Sequence, residues 1–242
     1  MHKVDDGVHR LGSHHHNFYV VVEGGKATVV DSGARKDHSQ LLSGLASLGL
    51  GLDDVEVVLI THAHTDHMGS AAQAARAGTP VKGHEAEIPV LRGDRPITQV
   101  KTSQLPLWKP GVWSFLFVMI RAGATAAPPI AGVESVVDGE TLDVPGRPRV
   151  VHTPGHTAGH AAYYLVDQRV LFSGDGLVTQ SPIGGAKGPR LMDGMFHADV
   201  AQARASLSMI AILDTRLVLP GHGDPWEGQV AEAVAAALSP PP

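Results

Sequence analysis

Short apolar runs with β-branched residues alternate along the chain with segments whose apolar residues recur at helical spacing. Phe18–Glu23 and Ala27–Asp31 read as two strands joined by a glycine turn. Asp37 stands before a leucine-rich segment that predicts a helix ending near Leu48. Val55–Thr61 is apolar throughout most of its length, which is typical of a buried strand.

The same alternation continues to the end of the chain. Further strands are predicted at Val81–Gly83, Arg149–His152, Ala161–Val166, Val170–Ser173 and Leu217–Leu219, and further helices at Gly69–Ala77, Glu85–Leu91, Val200–Leu213 and Glu227–Leu238. Strands and helices that alternate in both halves predict a layered α/β architecture with the helices outside. We expect residues 1–242 to form one domain.

Residues 92–132 interrupt this regular pattern. They hold many Pro and Gly residues, two of the three Trp residues and the uncharged run Gly111–Ile120. Ten residues are too few to span a bilayer as a helix. We therefore predict an insertion that covers a cleft, with a membrane-interface contact or a dimer patch as the alternatives.

Composition and charge remove several classes of function. The chain has a formal net charge of −5 and no basic block, which disfavours nucleic-acid binding. It has no Cys, which excludes disulfides, thiolate-bound metals and thiol catalysis. Residues 1–7 lack the pattern of a secretory signal, so a cytoplasmic location is expected. The 15 His residues are the unusual feature, because imidazole is a common metal ligand.

Four of the candidate ligands follow the predicted strand Val55–Thr61 directly, in the sequence HAHTDH. His62 and His64 are two residues apart, so in extended chain they project to the same side. Asp66 and His67 lie where the chain must turn into the next helix. One tight loop can therefore supply ligands to two neighbouring metal ions.

Other candidate ligands also follow predicted strands and stand beside glycines. They are His156 in TPGHT, Asp175 in FSGD and His222 in PGHG. Strand ends that meet at one rim would assemble a metal site. Asp31, at another strand end, is expected to orient a ligand through a hydrogen bond, and His160 is a second candidate for such support.

The motifs HAHTDH, HTPGHTAGH, FSGD and PGHG, in this order and spacing, resemble the metallo-β-lactamase fold superfamily. The resemblance implies an αββα four-layer sandwich. It also implies a first metal held by His62, His64 and His156, a second held by Asp66, His67 and His222, and Asp175 bridging the two. Imidazole and carboxylate ligands suit two Zn²⁺ ions best, with iron or manganese as alternatives.

This ligand set predicts a dinuclear-zinc hydrolase in which a metal-bridging hydroxide attacks a small ester-like substrate. Asp66 would anchor the second metal and orient the nucleophile. A lactone or a thioester is the expected substrate, as in lactonases and glyoxalase-II-like thioesterases. A β-lactam or phosphoester hydrolase, an iron-dependent sulfur dioxygenase and a catalytically silent metal-binding scaffold are the alternatives.

Several further residues are candidates for substrate contact. His197 is a candidate proton donor to the leaving group. Trp108, Trp113 and Phe115 would contact an apolar portion of the substrate, and Lys187 and Arg190 would bind an anionic tail.

The other histidines are not expected to bind metal. The run at residues 14–16 is expected at a solvated rim near the cleft, with substrate contact as the alternative. His152 is expected in a structural position and His84 at the surface. The expected partner is a small molecule, with no nucleic acid, no membrane span and a possible homodimer through the insertion.

Overall fold

Two β-sheets form the centre of the molecule in the computed structural model, which describes residues 1–13, 15–97 and 104–239. Within these residues the first sheet has seven strands in sequential order. Its first four strands are antiparallel and the rest run parallel to the fourth. The strands are β1 (His2–Asp5), β2 (Val8–Gly12), β3 (Asn17–Glu23), β4 (Lys26–Val30), β5 (Val55–Ile60), β6 (Val81–His84) and β7 (Glu134–Val136).

The second sheet has five strands in the order β12-β11-β10-β9-β8 among the residues described. Only the β10–β11 pair is parallel in this sheet. The strands are β8 (Arg149–His152), β9 (Ala161–Leu165), β10 (Val170–Gly174), β11 (Leu217–Pro220) and β12 (Trp226–Glu227). The helices are α1 (His38–Ser47), α2 (Ala71–Arg76), α3 (Ile88–Leu91), α4 (Pro110–Ala122), α5 (Val200–Ala211) and α6 (Val230–Leu238).

Alternation of side chains along the strands builds three apolar layers. On β3, Phe18 and Val20 pack toward the helix side with Leu41 and Leu45 of α1. Tyr19 and Val21 point the other way and join a layer between the two sheets, because successive strand residues face opposite sides. A third layer lies between the second sheet and helices α5 and α6. This order of layers is the αββα sandwich, so the predicted fold class is confirmed.

The element boundaries differ from the predictions mainly where the sequence is polar. The hairpin β1–β2 was not predicted, because its residues are mostly partly exposed and lack a continuous apolar run. The helix expected at Glu85–Leu91 is a 3-10 turn, Glu85–Glu87, followed by the short α3. Asp37 precedes α1 as predicted but does not cap it. Its carboxylate instead accepts a hydrogen bond from the backbone N–H of Ala34.

Helix α4 contains the apolar run Gly111–Ile120. Val112 and Met119 are buried on its inner side, whereas Trp113, Phe117 and Ile120 are mostly exposed. Its inner side packs on two separate apolar clusters, one reaching Ile183 and Phe196 and the other reaching Ala34. None of the helices in the described part of the chain is long and apolar enough to cross a membrane. The division into one domain with an insertion at 92–132 stays a prediction.

Candidate metal centre

The ends of strands from both sheets meet at one place. In the first sheet, Asp31 follows β4 and the loop from Thr61 to His67 follows β5, its parallel neighbour. In the second sheet, Asp175 follows β10 and His222 follows β11, again parallel neighbours. The loop between β8 and β9 brings His156 to the same place. The topology thus places all the strand-end candidates at one edge of the sandwich.

The first group of donors consists of three ring nitrogens and one carboxylate. His62 Nε2 lies 3.0 Å from His64 Nδ1 and 3.1 Å from His156 Nε2. His64 Nδ1 and His156 Nε2 are 2.9 Å apart. Nitrogens about 2.0–2.1 Å from a tetrahedral zinc ion lie roughly 3.3 Å from one another, close to these separations. Asp175 Oδ2 is 3.5 Å from His156 Nε2. Three nitrogens converging on one point are arranged as ligands rather than as a hydrogen-bonded chain.

The second group contains Asp66, His67 and His222. His222 Nε2 lies 3.5 Å from His67 Nε2 and 3.6 Å from Asp66 Oδ2. Asp175 also reaches this group, with Oδ1 3.4 Å from His67 Nε2 and Oδ2 3.1 Å from His222 Nε2. Asp175 therefore stands between the two groups, and each group brings its donor atoms within 4.8 Å of one another.

The buried donors suit divalent metal ions. His62, His67, His156, Asp175 and His222 are all nearly inaccessible to solvent. Asp175 Oδ1 has no hydrogen-bond partner among the described residues, a costly arrangement for a buried carboxylate without a cation. Imidazole and carboxylate donors in this number match the preferences of borderline divalent cations. The donor set fits the metal that the sequence predicts, without fixing its identity.

Hydrogen bonds on the far ring nitrogens orient the ligand histidines. His67 Nδ1 lies 2.8 Å from Asp31 Oδ2, and His62 Nδ1 lies 3.0 Å from the hydroxyl oxygen of Thr61. His222 Nδ1 contacts the backbone carbonyl oxygen of His15. A proton held on Nδ1 by such an acceptor leaves Nε2 free to bind a metal.

Asp31 ties this arrangement to the end of β5. Its carboxylate accepts hydrogen bonds from the backbone N–H of Thr61 at 2.8 Å and from its hydroxyl, in addition to His67. The backbone of Asp31 is left-handed, with φ of 59°. This conformation is costly for most residues but is more accessible to Asp and Asn. Asp31 was predicted to orient a ligand through a hydrogen bond, and its carboxylate lies at hydrogen-bond distance from His67.

His160 supports the backbone around Asp175. Its Nε2 accepts hydrogen bonds from the backbone N–H groups of Asp175 at 3.0 Å and Gly176 at 3.1 Å. Its Nδ1 lies 2.8 Å from the Thr153 hydroxyl. Burial, reinforced by the neighbouring histidines, lowers the pKa of His160 to about 3, so the ring stays neutral and can accept both bonds.

Without bound metal ions, the histidines of the two groups differ in their pKa values. Burial holds the pKa values of His62 and His156 well below the ordinary range, so both are neutral. Burial also acts against protonation of His67, but Asp175, Asp31 and Asp66 outweigh it and raise its pKa to about 10. The carboxylates around His67 therefore favour a positive charge at the second group, either a proton or a cation.

A cavity of about 330 Å³ opens above these donors. Its floor contains His64, Asp66, His156, Asp175 and His222. Its walls come mainly from α4 and from the loops facing it: Thr65, Leu105, Phe115, Leu116, Met119, Ile120, Ala124, Thr125, Pro182, Met192 and Phe196. A small molecule bound there would lie directly against the candidate ligands.

Only Phe115, among the five residues predicted to contact substrate, lines this cavity. Trp108, which precedes α4, and Trp113, on the outer side of α4, lie on the surface and are 83% and 58% exposed. Lys187 is paired with Asp224 at 2.9 Å. Arg190 pairs through its backbone with Val178 and donates from Nε to the carbonyl of Gly188. The prediction that these four residues contact substrate is not supported by their positions.

The remaining predicted histidines occupy more enclosed places than expected. His197 lies beside His156, with ring centroids 5.3 Å apart, and its Nε2 is 3.2 Å from the Met192 carbonyl oxygen, outside the cavity lining. His16 is buried, not solvated, with Nε2 2.6 Å from Asp37 Oδ2. His84 is also buried, and its ring stacks on that of His152 with the ring centroids 3.9 Å apart. The prediction of a surface position for His84 was therefore wrong. His14 lies outside the described residues.

Sequence reasoning missed Glu87. This buried carboxylate accepts hydrogen bonds from the backbone N–H of Ala63 at 2.9 Å and of Gly159 at 2.8 Å. Ala63 lies between His62 and His64, and Gly159 lies in the loop that carries His156. Glu87 therefore joins the two loops that supply the three histidines of the first donor group. Its sequence context, an acidic residue before an apolar segment, carries no signal of this role.

Asn17 was also missed, for the same reason. Its side-chain amide donates hydrogen bonds to the carbonyl oxygens of Pro220 at 2.8 Å and Gly223 at 2.7 Å. These residues bracket His222, so Asn17 holds the turn that presents it. A Cβ at Gly221 would collide with Asp175, which explains why glycine stands in this turn.

A sandwich with metal donors at the carboxyl ends of its strands is shared with a large family. The family model of the metallo-beta-lactamase superfamily matches residues 11–222, and the chain belongs to this superfamily. In structure, the chain is similar to a metallo-beta-lactamase family protein from Thermus thermophilus. The TM-score is 0.68 at 25% identity, over 97% of this chain and 80% of that one. The subclass B3 enzyme MEM-A1 from a soil metagenome is similar in fold, with a TM-score of 0.63 at 19% identity, over 90% and 77% of the two chains.

Curated relatives include proteins named as hydrolases. The chain is 30% identical to a hydroxyacylglutathione hydrolase of Acidiphilium cryptum over 84% of this chain and 63% of that one. It is 25% identical to the atrochrysone carboxyl ACP thioesterase of Aspergillus fumigatus over 86% and 50%. It is 27% identical to a beta-lactamase-like protein 2 homolog of Caenorhabditis elegans over 96% and 66%. The chain thus spans half to about two thirds of the length of these relatives.

Proposed function

We propose that the chain is a dinuclear metal-dependent hydrolase that acts on a small ester-like substrate, most simply a thioester or a lactone. The observation that carries this proposal is the pair of donor groups joined by Asp175 on the floor of a cavity. In the proposal, His62, His64 and His156 hold one Zn²⁺, Asp66, His67 and His222 hold the other, and Asp175 lies between them.

The bound ions would supply an activated water molecule and polarise the substrate carbonyl group. The chain's own residues position this chemistry. Asp31 holds the ring of His67, and His160 holds the backbone of Asp175. Helix α4 forms the wall that shields the reacting carbonyl from bulk water. Hydrolysis of a thioester adds water across the C–S bond, giving a carboxylic acid and a thiol.

Two relatives support a thioester over other substrates by their names, one as an ACP thioesterase and one as a hydroxyacylglutathione hydrolase. A metal-activated water also suits a chain without Cys, because no thiol nucleophile is available. A cytoplasmic location and a homodimer through the insertion at 92–132 stay predictions, the second to be checked by analytical ultracentrifugation.

The test is proton release by zinc-loaded protein on a panel of thioesters, lactones, phosphoesters and β-lactams. Asp66→Asn is the informative variant, because it removes a carboxylate that faces the cavity. Asp224→Asn is its matched control, since Asp224 is exposed and forms ion pairs outside the cavity. We expect the turnover of the preferred class to fall at least 100-fold in Asp66→Asn and less than twofold in Asp224→Asn.

Metal analysis of the same proteins should give two equivalents of zinc in the wild type and fewer in Asp66→Asn. Hydrolysis confined to phosphoesters or β-lactams would keep the metal centre but replace the proposed substrate. Oxygen consumption by iron-loaded protein with no hydrolysis of any substrate would refute the proposal in favour of an oxidoreductase.

A further inference from the structure

The cavity above the donors has walls that are almost entirely apolar. Phe115, Leu116, Met119 and Ile120 project from α4, and Leu105, Pro182, Met192 and Phe196 face them from other segments. Thr65 and Thr125 are the hydroxyl residues of the lining, and the Thr65 hydroxyl is engaged with the carbonyl oxygen of Ala124 at 2.5 Å. Charged groups are concentrated at the floor, beside the candidate ligands.

Cations are missing from this lining within the described residues. Among residues 1–13, 15–97 and 104–239, no Lys or Arg lines the cavity. Lys109 and Arg121 flank α4, and Arg121 lies over the ring of the exposed Phe117 at 5.6 Å. Arg190, two residues before the lining residue Met192, donates from Nε to the carbonyl oxygen of Gly188. A carboxylate bound against these walls would lose its water without gaining an ionic partner, which is unfavourable in an apolar environment.

We propose that the cavity selects a neutral, unbranched acyl chain, and that the enzyme hydrolyses medium-chain acyl esters or thioesters while rejecting substrates with a charged acyl end. This inference rests on the proposed function, because the floor would hold the ester-like carbonyl. The chain then runs along α4 past Leu116 and Met119. Each buried methylene contributes about 0.8 kcal/mol of binding, so chain length becomes the specificity signal.

The size of the cavity limits the length of that chain. A volume of about 330 Å³ lies at the lower end of the range for small-molecule pockets, roughly 300–1,000 Å³. Ile120 both lines the cavity and is 63% exposed, so it marks the rim where the pocket meets solvent. We expect the gain from added methylenes to stop when the chain reaches this rim.

The first experiment varies only the acyl group. Zinc-loaded enzyme is given N-acetylcysteamine thioesters of straight-chain acids from two to twelve carbons, and a matched set that ends in a carboxylate. We expect kcat/KM to rise about threefold to fourfold per methylene and then level off. The carboxylate-ended thioester of each length should react at least 30-fold more slowly than its neutral partner.

The second experiment moves a positive charge to the rim. Ile120→Lys should raise kcat/KM for the carboxylate-ended substrates relative to the neutral ones by at least tenfold, because the new ammonium group supplies the missing partner. Phe117→Lys is the matched control. Phe117 lies on the same helix and is 62% exposed, but it does not line the cavity. Equal effects of the two variants would show that general surface charge, not the cavity, sets the preference.

Binding separates this inference from the proposed function. Isothermal titration calorimetry with straight-chain primary amides of four to ten carbons needs no turnover. Tighter binding with each added methylene, weakened by Leu116→Trp, which fills the cavity, supports the acyl-chain site even if no thioester or lactone is hydrolysed. Affinity that is independent of chain length overturns it even if the protein proves to be a hydrolase.

Discussion

The Glu87 side chain links the two loops that carry His62, His64 and His156. Both of its oxygens accept backbone N–H groups from loops that carry candidate ligands, although the loops are nearly 100 residues apart in sequence. A Cβ at Gly159 would lie 2.6 Å from the backbone nitrogen of Glu87, so glycine is needed for this approach. The carboxylate is therefore a positioning residue for His62, His64 and His156.

Replacing Glu87 by Gln should weaken zinc binding about tenfold and lower the free energy of unfolding by about 1–3 kcal/mol. The amide nitrogen cannot accept a hydrogen bond, so one of the two buried N–H groups loses its partner. Chelator competition and urea unfolding measure the two effects. Glu85→Gln, in the same turn but exposed, is the control. Lower stability with unchanged zinc affinity would reduce Glu87 to a purely structural residue.

Asp31 combines an uncommon backbone conformation with a hydrogen bond to a candidate ligand. Asp31→Asn keeps a residue that tolerates φ of 59° but removes the negative charge beside His67. We expect 10- to 100-fold weaker binding of one of two zinc equivalents, with the other unaffected. Asp31→Ala should add a stability loss of roughly 1 kcal/mol, because alanine lacks that tolerance. Calorimetric zinc titration and thermal unfolding distinguish the two effects, and equal loss of both equivalents would contradict the assignment of Asp31 to one site.

At the level of elements, the first turn of α4 makes one close backbone contact in addition to its apolar packing. Gly111, in its first turn, has no room for a side chain, because a Cβ there would collide with the carbonyl oxygen of Ile183. Replacing Gly by Ala inside a helix usually stabilises it by roughly 0.5–1 kcal/mol. For Gly111→Ala we expect the opposite sign, a lower melting temperature and weaker binding of long-chain amides, measured by differential scanning calorimetry and titration.

Ala205→Gly in α5 is the matched reference for the helix-propensity effect, because Ala205 is exposed and does not line the cavity. It should cost about 0.5–1 kcal/mol without changing amide binding. A rise in the melting temperature of Gly111→Ala would show that α4 shifts freely and that its contact with Ile183 does not shape the pocket.

The predictability of the elements followed the strength of local signals. Strands β4, β5, β10 and β11 are mostly apolar and were located to within one or two residues. The run in α4 was predicted to cover a cleft, but the local pattern could not tell that Phe115 lines the cavity while Trp113 faces solvent. That choice depends on which loops pack beneath the helix.

The donor residues were predictable because each stands in a short motif at a strand end. The residues that position these donors were harder to predict. Glu87 and Asn17 act through contacts with backbone groups far away in sequence, and such contacts leave no periodicity or spacing to detect. Lys187 and Arg190 were predicted to bind an anionic substrate because they follow the motif that contains Asp175. Proximity in sequence does not determine a side chain's partner, and the two residues instead bind Asp224 and the Gly188 carbonyl oxygen.

At the scale of the whole molecule, the candidate metal centre joins the two sheets. Asp66 and His67 belong to the first sheet's strand ends, and Asp175 and His222 to the second's. A ligand that binds only the folded state stabilises it by mass action, by about 2.7 kcal/mol at a free concentration 100 times its Kd. Metal ions at this position would therefore act as links between the halves of the sandwich, and their removal should weaken the contact between them.

We accordingly expect a chelator to lower the melting temperature by several degrees and zinc to restore it, in a concentration-dependent way. Hydrogen exchange should locate the loss of protection at the ends of β5, β10 and β11 rather than in α6, which has no residue at the site. In Asp66→Asn the shift should be smaller, because one of the two links is weakened. An identical melting temperature with and without zinc, in a protein shown by metal analysis to bind two equivalents, would mean that the sheets are held together by their apolar layer alone and that the metals serve chemistry without stabilising the fold.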